Sequence, residues 1–133
     1  MIFKKCSFLF LSLSFFIASS FQNLQAQKNF FSSAGRVEIL DQNKFILIGA
    51  ASSVSFDFKG NSCSISLQSL VDHQNYVSIE LDGKYVGRIR IEKGEIKSFP
   101  IEVSGKKKTH QISIYKATEA ANGGVLFAGT TAQ

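Results

Sequence analysis

Nucleophilic acyl transfer needs a hydroxyl or thiol beside a base, with a third group orienting that base. The chain has two histidines to offer as bases. His73 directly follows Asp72, and neighbouring side chains on an extended segment point apart. His110 shares the phase of Ile112 and Ile114, which reads as a structural histidine whose nitrogens are satisfied inside a core. There is no Gly-x-Ser-x-Gly elbow and no Gly-Asp-Ser block. Two histidines in different phases, with one cysteine beyond the leader, make a poor metal site, and the spacing of Asp41, Asp57 and Asp72 does not demand calcium. The expectation is a domain without catalytic residues, metal or cofactor.

Non-covalent recognition leaves other candidates. Sugar C–H groups stack on aromatic faces. With no tryptophan, the rings available are Tyr76, Tyr85 and Tyr115. Tyr76 and Tyr115 occupy the phases opposite the apolar residues of their strands, so they are the candidate carbohydrate-binding residues. Lys106-Lys107-Lys108 reads as a solvated turn, with contact to an acidic polymer or partner as its alternative.

The amino terminus reads as an address. Lys4 and Lys5 precede an apolar run from Phe8 to Ile17, and Leu24-Gln25-Ala26 resembles a secretory cleavage pattern. That run is short for a bilayer span, and Cys6 precedes it rather than standing where a lipoprotein cysteine would. The sequence therefore predicts a signal peptide over 1–27, a frayed leader over 28–34 and a domain over 35–133, secreted or periplasmic and free of the membrane after cleavage. About 105 residues remain, the size of one small domain. The charge falls from +5 to +3, thirteen basic against ten acidic residues with the signs interspersed. That is no footprint for nucleic acid. One cysteine, Cys63, survives cleavage, so no intrachain disulfide can form. Its phase with Ile65 and Leu67 predicts a buried thiol.

The elements that must position these residues are strands. Val77, Ile79 and Leu81 alternate with polar residues, Asp82-Gly83 offers a turn, and alternation resumes through Ile91. A two-residue turn would drive Arg88 onto the core face unless a bulge intervened. A three-residue loop of Leu81, Asp82 and Gly83 sets Ile79 opposite Tyr85 and Val77 opposite Gly87, and is the expectation, with Tyr85 facing the core. Further strands are predicted at Arg36–Leu40, Lys44–Gly49, Ser53–Lys59, about Cys63–Leu67, Phe99–Val103, His110–Tyr115 and Val125–Thr130. Pro100 cannot donate to a ladder and consigns its strand to an edge. No window carries a sustained helical period. Eight or nine short antiparallel strands predict an all-β sandwich of jelly-roll type.

From Gly35 to Gly129 the chain resembles the N-terminal β-sandwich domain of carbohydrate esterase family 2, the acetylxylan esterase-like SGNH hydrolases. The matching pieces are Gly35-Arg36, Gly49-Ala50-Ala51-Ser52-Ser53 and Phe56-x-Phe58-x-Gly60. They continue with Leu81-Asp82-Gly83, His110-x-Ile112-x-Ile114-x-Lys116, Thr118-Glu119-Ala120, Gly124 and Phe127-x-Gly129. Leu47 and Ile48 stand where the family pattern has a tryptophan. In that family the sandwich precedes a hydrolase domain that supplies the catalytic serine and histidine and removes acetyl groups from plant-wall polysaccharide. The resemblance covers only the accessory part, so it carries over no catalytic position. It implies an SGNH-type hydrolase domain as partner, in cis or separately encoded. Thr118 and Glu119 match the family pattern, with Glu119 expected to cap its loop or to help dock that partner. Two other roles remain open: a free-standing carbohydrate-binding module, and an exported interaction domain that uses the Pro100 strand for strand addition.

Overall fold

The computed structural model describes residues 30–132; the predicted signal peptide over 1–27 lies outside them. Ten strands run in chain order: β1 (Phe31–Ala34), β2 (Val37–Ile39), β3 (Phe45–Leu47), β4 (Ser53–Lys59), β5 (Ser62–Ser69), β6 (Asn75–Leu81), β7 (Lys84–Ile91), β8 (Lys97–Glu102), β9 (Thr109–Lys116) and β10 (Val125–Thr130). One single-turn 3-10 helix, Ala120–Asn122, interrupts the last connection. The strands form two five-stranded antiparallel sheets, ordered β1-β4-β9-β6-β7 and β2-β3-β10-β5-β8. Among the described residues no helix is long and apolar enough to cross a membrane.

Period-2 alternation puts one face of each sheet inside. Val54, Phe56 and Phe58 of β4, Val77 and Ile79 of β6, and Ile112 and Ile114 of β9 meet Leu47, Cys63, Ile65, Leu67, Val125 and Phe127 of the other layer. Burial pushes the Cys63 thiol up from its usual range, so it behaves as the inert apolar group its phase predicted. At one end the core is aromatic. The Phe31 ring centroid lies 5.4 Å from those of Phe45, Phe56 and Phe127, each edge-on. Such pairs contribute about 0.5–1.5 kcal/mol each beyond their burial. Gly35 turns the chain from the first sheet to the second at φ +78°, and a β-carbon there would stand 3.0 Å from the Ser52 backbone. Glycine is required on both counts. As predicted, the proline-bearing β8 is an edge, paired only with β5, with Pro100 opposite Ser64.

Two expectations are corrected. The leader expected over 28–34 is not frayed from residue 31 onward, because β1 pairs with β4 along Phe31–Ala34. The segment shows little alternation of its own. It is held by the open edge of β4 and by a place in the aromatic cluster that only Phe31 fills. The central hairpin also turns in two residues rather than three. Asp82 and Gly83 have φ of 51° and 77°, the type I′ pattern that matches strand twist. Leu81 faces Lys84 and Glu80 faces Tyr85; the register then shifts past Val86, so that Ile79 faces Gly87 and Val77 faces Ile89. The single extra residue restores the phase and turns Arg88 and Arg90 outward. Tyr85 consequently points to solvent, 67% exposed, and not into the core.

Candidate functional site

The outward face of the first sheet is where the strand phases converge on possible ligand contacts. Tyr115 stands on β9 between Ser53 of β4 and Ser78 of β6. Tyr76 begins the outward row of β6 opposite Arg90, and its carbonyl accepts from Ala117 N–H of the continuing β9 chain at 2.8 Å. The two tyrosines are therefore diagonal cross-strand neighbours, close enough for rings of this length to share one ligand. Both are half-buried. The Arg88 guanidinium lies 5.9 Å from the Tyr76 ring centroid, in the range of cation–π attraction. Exposed Tyr85 and half-buried Glu80 continue the same face beyond Ser78 and Ser113. The face thus presents two half-buried rings, a guanidinium and a carboxylate side by side.

The histidines are placed otherwise. His110 is 3% exposed. Its Nδ1 meets Asp82 Oδ2 at 2.7 Å and its Nε2 meets the Lys107 carbonyl at 3.0 Å. Both partners are acceptors, so both nitrogens are engaged in holding the β6–β7 turn to the loop before β9. Asp82 also takes Lys107 Nζ at 2.5 Å and the Gln111 N–H at 3.1 Å on Oδ1. Lys107 first, then His110 and Gln111, hold its carboxyl far below the ordinary carboxylate range. These bonds also stabilise Asp82 in its left-handed conformation. His73 is exposed on the β5–β6 loop. Asp41, Asp57 and Asp72 do not come together, and among the described residues no cluster of His, Cys, Asp or Glu could hold a metal.

Thr118 and Glu119 belong to a buried polar network that includes Lys116, met in the sequence only as part of the family pattern, and Asn75, which the sequence did not single out. Lys116, 1% exposed, donates from Nζ to the Thr118 carbonyl at 2.8 Å, to Thr118 Oγ1 at 3.0 Å and to the Glu119 carbonyl at 2.6 Å. Thr118 Oγ1 in turn donates to Asn75 Oδ1. Asn75, wholly buried, aims Nδ2 at the carbonyls of Asn122, Gly123 and Gly124 at 3.2, 3.3 and 3.3 Å. Burial lowers the Lys116 pKa, and the Glu119 carboxylate partly opposes that shift. Glu119 departs from the capping expectation. Its residue is exposed, its side chain makes no cap bond, and its carbonyl does the work, accepting from Asn122 N–H at 3.0 Å as well as from Lys116. The signal for Lys116 was its phase, shared with His110, Ile112 and Ile114. Asn75 likewise stands in the phase of Val77 and Ile79.

With this fold and these sites described, the comparisons with known proteins fix the class. The Carbohydrate esterase 2 N-terminal family model matches residues 33–133. The chain belongs to that family, whose domain is the non-catalytic part of the esterases. Among solved structures, a family two carbohydrate esterase from Clostridium thermocellum in complex with cellohexaose superposes with a TM-score of 0.67 at 21% identity, over 77% of this chain and 31% of that one. An acetyl xylan esterase from the rumen bacterium Butyrivibrio proteoclasticus gives 0.66 at 18% identity, over 80% and 30%. The CBM36-1 domain of a multidomain xylanase from the hindgut metagenome of Trinervitermes trinervoides gives 0.60 at 12%, over 75% and 86%. The chain thus spans about a third of the length of the esterases it resembles. A search of the curated proteins finds no match.

Proposed function

We propose that this chain is an exported accessory domain that packs on an SGNH-type hydrolase domain, in cis or separately encoded, and supports deacetylation of plant-wall polysaccharide. The observation that carries this reading is the family match, which runs along the domain and confines itself to the non-catalytic part of the esterases. An apolar patch suits it. Ile46 and Leu126 are register partners on the outward face of the second sheet, and a β-carbon at Gly124 would touch both Ile46 and Leu70. This patch is the surface assigned to the hydrolase domain. A pull-down with a separately expressed family hydrolase domain tests the assignment: capture is expected with the wild-type chain and loss of capture with Leu126→Lys. No capture at high micromolar concentration refutes it.

A second reading, a free-standing carbohydrate-binding module, is favoured by the diagonal pair of Tyr76 and Tyr115 and by the likeness to a CBM36 fold. On this reading xylan or glucomannan quenches tyrosine fluorescence, and Tyr76→Ala with Tyr115→Ala removes the quenching. Flat titrations with xylan, glucomannan and cellulose eliminate it.

A further inference from the structure

Several surface lysines of this domain have an acid beside them. Lys44, Lys93 and Lys97 each stand within 4.0 Å of a carboxylate, from Asp41, Asp72 and Glu92 respectively. At one end of the sandwich that pattern fails. The β4–β5 turn contributes Lys59, Gly60 and Asn61, and the loop between β8 and β9 contributes Gly105, Lys106, Lys107, Lys108 and Thr109, around an open cleft of about 540 Å³. Of its four lysines only Lys107 has an acidic partner among the described residues, and that partner, Asp82, is already shared with His110. Asp57 lies two residues from Lys59 along β4, on the same face, with no ion pair among the described residues.

The cleft is built in advance of any ligand. Gly60 N–H donates to the Lys108 carbonyl at 3.0 Å, and Val103 N–H donates to the Asn61 carbonyl at 2.8 Å, so its two walls are tied by backbone bonds. Gly60 and Gly105 face open space, where a β-carbon would meet nothing within 4 Å, leaving the backbone accessible. Cations lining a preformed cleft, three of the four without an acidic partner among the described residues, attract an anion with no rearrangement. The volume falls in the range of ordinary ligand pockets and exceeds the need of one small ion. No aromatic ring lines it, so it lacks the base-stacking surface that single-stranded nucleic acid uses.

We propose that this cleft binds acidic saccharides, taking uronate carboxylates on Lys59, Lys106 and Lys108 at the end of β9 opposite to Tyr115. The choice of saccharide over other polyanions rests on the carbohydrate reading given above. The ammonium groups pair with carboxylates along the sugar chain, while the exposed glycine backbones admit ring hydroxyls.

Calorimetric titration with oligogalacturonate, at low and at high salt, tests the assignment in the whole chain. Binding is expected at low salt, weakening as salt screens the ion pairs. The triple variant Lys59→Gln, Lys106→Gln and Lys108→Gln removes the three charges while leaving polar side chains and the Lys107–Asp82 pair, and should bind roughly tenfold more weakly with an unchanged melting temperature. Equal affinity in this variant overturns the proposal, as does absence of wild-type binding. Competition by inorganic phosphate or duplex DNA at the same concentrations as the oligosaccharide also overturns it, in favour of plain ion exchange. Xylan titrated in parallel separates the two readings. Retained xylan binding without oligogalacturonate binding sinks the cleft alone; the reverse sinks the tyrosine surface alone.

Discussion

Replacing Asn75 by aspartate exchanges one NH2 group for an oxygen at the centre of the network that holds the 117–124 connection. The three carbonyls 3.2–3.3 Å from Nδ2 establish which end of the amide is lost. Two N–H donors disappear, at about 1 kcal/mol each. The introduced carboxyl then faces carbonyl oxygens in a site with no solvent exposure, and burial raises its pKa. The Lys116 ammonium, one hydroxyl away through Thr118, offsets part of that penalty. A net loss of about 3 kcal/mol at neutral pH follows, or roughly 12–24 °C in melting temperature for a domain of this size. The sign with pH is fixed. A carboxyl whose folded pKa lies above its unfolded value of about 3.9 adds its penalty as pH rises through that value and withdraws it in acid. The deficit against wild type should therefore narrow to about 2 kcal/mol near pH 4. Asn75→Ala loses the same donors without a new acid, and its deficit should not vary with pH. Urea unfolding at both pH values measures all three proteins. A deficit below about 1 kcal/mol, or one that widens in acid, refutes the assignment of this network as the anchor of the loop.

Three other outcomes are expected. Asp82 resists protonation in the fold, so wild-type stability should be intact above about pH 4 and be lost progressively as pH falls below it. Asp82→Asn should flatten that acid limb of a urea-midpoint profile. Phe127→Ala opens the aromatic end of the core and should cost about 3–5 kcal/mol by chemical denaturation. Tyr115→Ala, on the outward face beside Ser53 and Ser78, should change stability by less than about 1 kcal/mol while weakening any xylan binding.

Much of this architecture was legible because alternation is a strong signal where one face of a strand is buried. It placed Phe56, Phe58, Ile65, Leu67, Ile112 and Ile114 inside, put Tyr76 and Tyr115 outside, and sent Pro100 to an edge. The hairpin was harder for a definite reason. A three-residue loop and a two-residue turn with a bulge leave the same odd-numbered residues facing the core, and they differ chiefly at Tyr85. Strand twist, which the residue pattern does not encode, decided for the turn. Lys116 shows the opposite conflict: phase argued for burial and charge for exposure. Only the three oxygens supplied by Thr118 and Glu119, local in sequence but folded back in space, reconcile the two. For β1 no local signal existed, since its stability comes from β4, whose residues pair with it at separations of 19 to 25.

That first strand bears on where the folding unit can be cut. The family match begins at residue 33, two positions after Phe31. A polypeptide started there would keep every residue the family pattern counts, yet it would lack the ring that plugs the gap between Phe45, Phe56 and Phe127. It would also bare the rim of β4 at Ser55 and Phe56, whose hydrogen-bonding groups would be free to recruit another molecule. Such a shortened version would clump on expression, and the loss of Phe31 and Ser32 would be the reason.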